Sequence, residues 1–397
     1  MPFTIAQRPI GVEHPVYIIA EIGVNHDGSP ERANELVRLA NEAGADAVKF
    51  QLFEADRLMS SAAKLAAYQK AAGEADPIAM LRRLELTIDQ MAPCVTLAHE
   101  LGLHAIVSVF SVELVSEAER LPWDAYKTAS PDIINKPLLD ALAATGKPLI
   151  VSTGASTLDE VNRMLGWMKP MYDRLAVLQC VSAYPTEEGR SEIGGIRAIV
   201  DVFDGPVGYS DHTQGEGAGP HAVAWGACIL EKHLTYDRNA KGPDHSASLT
   251  PVMFRNYVAA SKRAQGTWEH RAELRDPAKI AAARNAIRAI PDEENAERAE
   301  AREFLWRSKL LAPAVVGELV KRVLPIEQDV RTVSRQSLTT TRDLPGGHTL
   351  TCADLTIKRP GTGIPPYELE TTLNRTLARA VVADSPLSPD DLERMRS

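Results

Sequence analysis

Between residues 16 and 233 the chain repeats one pattern, a short β-branched apolar run that ends in one or two polar residues, followed by a helical stretch. The first two runs are Val16-Tyr17-Ile18-Ile19-Ala20, ending in Glu21, and Ala47-Val48-Lys49-Phe50-Gln51. Next come Ala105-Ile106-Val107-Ser108, Ala125-Tyr126-Lys127, Leu149-Ile150-Val151-Ser152 and a run over 175–180 that closes on Gln179-Cys180. The last two end in Ser210-Asp211-His212 and in Glu231-Lys232-His233. Near-continuous apolar runs without strict alternation indicate strands covered on both faces, as in parallel sheets. Between the first two runs the spacing predicts a crossover helix. Ser29 caps it, Pro30 fits its first turn, Ala33, Leu36, Val37 and Ala40 form its inner face, and Gly44 ends it.

Eight such units within about 250 residues predict an α/β fold of the closed (β/α)8 kind, a TIM barrel. An open doubly wound sheet is the alternative. It lacks support from any Gly-rich phosphate fingerprint, since Gly215-Glu216-Gly217 has no third glycine at the right offset. In a closed barrel the C-terminal strand ends share one mouth, so Glu21, Lys49, Gln51, Ser108, Lys127, Ser152, Ser210, His212, Glu231 and His233 should converge.

Lysines and hydroxyls gathered in this way suit an anion, because ammonium groups supply charge and hydroxyls supply directed hydrogen bonds to phosphate or carboxylate oxygens. Lys49 and Lys127 are the candidate cations; the plainer reading is a pair of lysines snorkelling from strand ends. His212 and His233 end consecutive strands, which fits a shared divalent metal, an acid–base pair or two core histidines. Asp211 and Glu231 add weight to the metal, as acceptors for imidazole N–H groups or as further ligands. A partly desolvated Glu21 can orient a hydroxyl or move a proton, or it can cap the next turn or pair with Lys49. His26 and Asp27 shape that turn. Asp244, in the polar loop after the last strand, either reaches a substrate hydroxyl or belongs to a solvated turn.

Composition narrows the field. The chain has 397 residues, is 44% apolar, and carries a net charge of −9, which supplies no basic field for nucleic acid. Its four cysteines are widely spaced, which suits a reducing cytoplasm. No stretch approaches the roughly 20 apolar residues that span a bilayer, and the start lacks the features of a secretory leader, so a soluble, unexported, cytoplasmic protein is expected.

The segments IAEIGVNHDG (19–28), GADAVKFQ (44–51), YKTAS (126–130), STG (152–154), GYSDHT (208–213), EKH (231–233) and KGPDHSASL (241–249) together resemble the N-acetylneuraminate (sialic acid) synthases. KFQ and NHDG are closer to the neuraminic and legionaminic branch than to the pseudaminic one. The resemblance implies a metal-dependent condensation of phosphoenolpyruvate with the open-chain aldehyde of an N-acylated mannosamine-type sugar, N-acetylmannosamine or a 2,4-diacetamido-6-deoxy relative. A nonulosonic acid forms and phosphate is released. It implies that His212 and His233 hold a manganese or magnesium ion. Lys49, Lys127, Ser130, Ser152 and Ser210 hold phosphoenolpyruvate, Glu21, Gln51, Tyr184, Glu231 and Asp244 face the sugar, and Ser108 and Ser182 are further substrate-binding residues. Residues 335–397 resemble the family's small C-terminal SAF (antifreeze-like) β-clip domain, through DLPGGHTLT (343–351) and IKRPGTGIPP (357–366). In the family the arginine matching Arg359 reaches the sugar site of a partner subunit in a domain-swapped homodimer.

Three stretches depart from the family pattern. Val109 stands where a hydroxyl is frequent, which is expected to weaken phosphate binding, and Gln336 replaces a frequent arginine. Residues 263–334 form a long helical insert or linker between the barrel (1–262) and the C-terminal domain, with helix starts marked at Asp276-Pro277 and Pro291-Asp292; a solvated spacer is the simplest expectation. Two rival functions remain at this point. One is a Schiff-base aldolase or isomerase acting on a sugar phosphate. The other is a catalytically idle scaffolding barrel.

Overall fold

A short hairpin, β1 (Thr4–Ile5) and β2 (Arg8–Pro9), precedes eight parallel strands that close into a barrel in the computed structural model, which describes residues 3–187, 189–289, 296–311 and 317–394. The barrel strands are β3 (Tyr17–Glu21), β4 (Ala47–Leu52), β5 (His104–Val109), β6 (Ala125–Thr128), β7 (Leu149–Ser152), β8 (Leu175–Cys180), β9 (Val207–Asp211) and β10 (Ile229–His233). Each follows its neighbour in sequence, and β10 closes on β3. The crossover helix Pro30–Glu42 has the cap and inner face that its sequence predicts: Ser29 accepts from the Arg32 amide, and Ala33, Leu36, Val37 and Ala40 are buried.

Two apolar layers hold this architecture. Inside the barrel, Tyr17, Ile19, Ile106, Ile150, Leu178 and Ile229 fill the lower half, and Phe3, Ile5 and Ile10 of the N-terminal hairpin seal its floor. Outside, Ile18, Val48, Phe50, Val107, Tyr126, Val151 and Leu230 pack against the helix ring. Side chains alternate between these layers along each strand. The strand pairing then sets polar residues side by side at the upper rim: Glu21 beside Lys49, Gln51 beside Ser108, Ser108 beside Lys127, Ser210 beside Glu231, and His233 beside Glu21.

The insert is built onto the barrel rather than solvated around its circumference, which corrects the spacer expectation. Helices Pro277–Ala289 and Ala296–Leu310 pack on each other, and the second also meets the barrel helix Ala218–Ala224. Leu274, Leu310 and Leu311 join the outer core, the Trp225 indole N–H donates to the Leu310 carbonyl (3.3 Å), and Trp225 packs on Trp268. The start expected at Pro291-Asp292 lies outside the described residues.

From 317 onward the chain climbs its own barrel wall. Arg322 pairs with Glu192 (3.3 Å), and Lys321 Nζ donates to the Cys180 carbonyl (3.4 Å). At the rim Glu160 receives both Arg331 and Arg335, each through charge-assisted hydrogen bonds of 2.7–3.0 Å. The C-terminal domain follows, with β11 (Ser337–Thr340) antiparallel to β12 (Leu355–Lys358) around Leu338, Leu344, Leu350, Ile364, Leu377 and Leu387. It docks on the same chain's barrel through Ser60, which bonds the Arg359 carbonyl, and Ser61, which bonds Asp384.

Candidate active site

Period-two alternation near the strand ends puts Lys49 with Gln51, Ser210 with His212, and Glu231 with His233 on the inner side of the rim, where all six line one cleft. Glu21 lies between two partners there. Its carboxylate contacts the Lys49 ammonium and accepts a hydrogen bond from Gln51 Nε2 at 3.2 Å. Lys49 Nζ also donates to Ser108 Oγ (3.1 Å). Burial pushes the Lys49 ammonium down to about 7, with Glu231 opposing that shift. Lys127 Nζ lies 2.9 Å from Glu231 Oε1, and Ser210 Oγ donates to the same oxygen at 3.0 Å. Burial would raise the Glu231 carboxyl, but the Lys127 and Lys49 charges outweigh it and hold the group at about 2.

Next to this ionic floor stand the two histidines, ring centroids 5.5 Å apart. His212 Nδ1 is 2.8 Å from the Val181 carbonyl, which can only accept, so Nδ1 carries a proton and Nε2 is the nitrogen that offers a lone pair when the ring is neutral. Burial, and then the neighbouring His212, hold His233 well below its ordinary value, so this ring is a neutral donor. Its Nδ1 is buried without a hydrogen-bond partner, 3.7 Å from Asp244. Two adjacent imidazoles, one of them with an orphaned nitrogen, fit a divalent ion that takes its other ligands from substrate and water. Among the described residues there is no group of three or more His, Cys, Asp or Glu side chains placed to bind one.

Hydroxyls and main chain complete the cleft. Gly154 donates to Ser130 Oγ (2.9 Å), and a Cβ at 154 would fall 2.1 Å from Ser182 Oγ, so only glycine lets these two serines close on the turn after β7. Tyr184 stacks on Tyr68 (4.9 Å) and packs, tilted, against His212 (4.1 Å). Burial raises Asp244 to about 6, with His212 opposing. The loop that carries Asp244 is pinned to the first rim loop, because His245 Nε2 bonds Asp27 at 2.9 Å. Arg359, from the C-terminal domain, lies over the Phe110 ring at 5.7 Å and lines the cleft.

Comparison with known proteins fits this geometry. Residues 36–271 match the NeuB family model and residues 335–393 the SAF domain model. The chain belongs to the NeuB family. An N,N'-diacetyllegionaminic acid synthase of Legionella pneumophila is 33% identical, with 97% of each chain covered. The N-acetylneuraminate-9-phosphate synthase of Mus musculus is 29% identical over 97% of this chain and 95% of its own. Among solved structures, spore coat polysaccharide biosynthesis protein SpsE of Bacillus subtilis superposes with a TM-score of 0.75 at 26% identity, all of each chain being covered.

Within this NeuB chain, Glu21, Lys49, Gln51, Ser108, Lys127, Ser130, Ser182, Tyr184, Ser210, His212, Glu231, His233, Asp244 and Arg359 all line the cleft. Ser152 does not. It ends β7 fully buried beside the cleft, its hydroxyl without a partner. Asp211 is also displaced from its expected part, because it alternates to the outer side and pairs with buried Lys232 (3.1 Å) rather than serving the histidines. Val109 likewise faces the outer core, so a hydroxyl there would not reach the mouth. Arg359 enters the barrel of its own chain, held by the Leu58 carbonyl and Ser60, whereas the resemblance implies one supplied by a partner.

Sequence reasoning missed three contributors. Tyr68 and the apolar flank of the cleft come from residues 53–86, a segment with no motif to mark it. Glu327, fully buried in the linker, accepts from the Ala155 and Ser182 amides at 2.6 and 2.7 Å. Cys180 lies 3.7 Å from His212 Nδ1.

Proposed function

We propose that the chain condenses phosphoenolpyruvate with the aldehyde of an N-acylated mannosamine-type sugar, forming a nonulosonic acid and releasing phosphate. The supporting observation is the placement of two buried ammonium groups, Lys49 and Lys127, beside a pair of buried histidines within one cleft. Lys49 and Lys127, with Ser108, Ser130, Ser182 and Ser210, bind the phosphate and carboxylate of phosphoenolpyruvate. Gln51, Tyr184, Asp244 and Arg359 hold the sugar so that its aldehyde carbon faces C3 of the enol, and Glu21 orients a sugar hydroxyl or takes a proton. A carbon–carbon bond forms between C3 and the aldehyde carbon, whose oxygen gains a proton. Water adds at C2, and the C2–O bond to phosphate breaks to leave the 2-keto acid. His212 and His233 would hold a manganese or magnesium ion, which when bound supplies Lewis-acid polarisation of the aldehyde oxygen.

The test is phosphate release from phosphoenolpyruvate with manganese present. Release that needs both sugar and metal, and that survives borohydride, is the expected result. Sugar-independent release, or inactivation by borohydride through a lysine Schiff base, would overturn the reading.

A further inference from the structure

The residues after 317 do more than carry the chain to its C-terminal domain. Glu327, at the end of the short turn Pro325–Glu327, is fully buried. Its Oε1 accepts from two main-chain amides, that of Ala155 at 2.6 Å and that of Ser182 at 2.7 Å, while Oε2 accepts from the Leu324 amide at 2.8 Å. One carboxylate oxygen therefore ties the turn after β7 to the segment after β8. Both anchor points adjoin the cleft. Ser182 lines it, and Gly154, the residue before Ala155, donates to Ser130 Oγ, which lines it too.

Ala155 has a φ of 51°, a left-handed conformation that a non-glycine residue keeps only where its surroundings hold it. The linker holds it from both sides: its N–H donates to Glu327, and its carbonyl accepts from Arg331 and Arg335. Lys321, buried in the same linker, donates to the Cys180 carbonyl (3.4 Å), and the Glu327 charge favours its ammonium. Without Glu327 two amides beside the cleft lose their acceptor and the left-handed turn loses its clamp. On the reading given above, in which Ser130 and Ser182 bind phosphoenolpyruvate, we propose that Glu327 is a positioning residue. Through the Ala155 and Ser182 amides it sets the spacing of those two hydroxyls, so the linker that carries the C-terminal domain also shapes the phosphoenolpyruvate site.

The experiment uses the full-length protein with manganese. Glu327→Ala removes the shared acceptor and Glu327→Asp draws it back by one methylene. Each should raise the phosphoenolpyruvate KM about tenfold or more while the sugar KM stays within about twofold. Glu327→Gln keeps an oxygen for the two amides but sets an NH2 group against the Leu324 N–H, so it should lower the melting temperature yet hold the phosphoenolpyruvate KM within about threefold of the parent. Leu310→Ala, which opens a cavity where the insert joins the outer core, should lower the melting temperature without moving either KM. Equal rises in both KM values, a Gln variant as impaired as the Asp one, or a shifted phosphoenolpyruvate KM in Leu310→Ala would reduce Glu327 to a stability role and overturn the proposal. Should Glu327→Ala fail to fold, the Asp and Gln variants carry the same comparison. If the parent protein releases no phosphate with any sugar, the condensation reading fails by itself, and calorimetric titration with inorganic phosphate tests the positioning separately. Binding about tenfold weaker in Glu327→Asp than in Glu327→Gln then supports it, and equal affinities, or no phosphate binding by the parent, overturn it.

Discussion

Lys127 and Glu231 meet at 2.9 Å from β6 and β10, strands that stand opposite one another in the closed barrel, so this buried ion pair spans the mouth. Removing one partner strands the other charge in a dry site, which costs about 3–5 kcal/mol. Lys127→Met should therefore lower the melting temperature and raise the phosphoenolpyruvate KM about tenfold or more, leaving the sugar KM nearly unchanged. The Lys127→Met, Glu231→Gln pair should regain the melting temperature but not the KM. Recovery of both would make the pair purely structural.

His212→Ala and His233→Ala should each abolish turnover while the far-UV circular dichroism stays native. Manganese titration followed by electron paramagnetic resonance should show weakened binding in both. A variant that binds manganese as the parent protein does would move the metal site elsewhere.

At the rim, burial raises the Glu160 carboxyl, but hydrogen bonds from Arg335 and Arg331 outweigh it and hold the group at about 2. A folded pKa depressed in this way contributes stability above the unfolded value, and that contribution is lost as pH falls from about 4.5 to about 2. Glu160→Gln should lower the melting temperature at pH 7 by about 2 °C or more and flatten its fall across that acid window. An unchanged acid slope would mean that the clasp contributes nothing.

Because Arg359 completes the cleft of its own chain, co-expressed Lys127→Ala and Arg359→Ala chains should show no more activity than the two variants measured separately. Exchange of C-terminal domains within a homodimer would instead rebuild whole sites and return activity toward about a quarter of the parent level.

The barrel was legible because each apolar run ended in its own polar residue, and the pairing of Glu21 with Lys49 or of Ser108 with Lys127 follows once the strands close. Side-chain direction at the run ends was harder to read. Asp211 and Val109 sit one residue from inward-facing neighbours and point the other way, and a list of strand ends does not separate the two faces. Ser152 was expected at the mouth but is buried beside it. Met80, Leu84 and Phe53 look like any core residues in a sequence, since what makes them a wall is the cleft they face. Glu327 was illegible for another reason: it bonds the main-chain amides of Ala155 and Ser182, and no residue type marks an available amide.

The N-terminal hairpin has a kinetic consequence. Phe3, Ile5 and Ile10 stop the bottom of the barrel, so among the described residues the cleft lies at the rim, the side on which the C-terminal domain docks. For the condensation proposed above, a cleft stopped from below predicts ordered binding, the molecule seated deeper arriving first and leaving last.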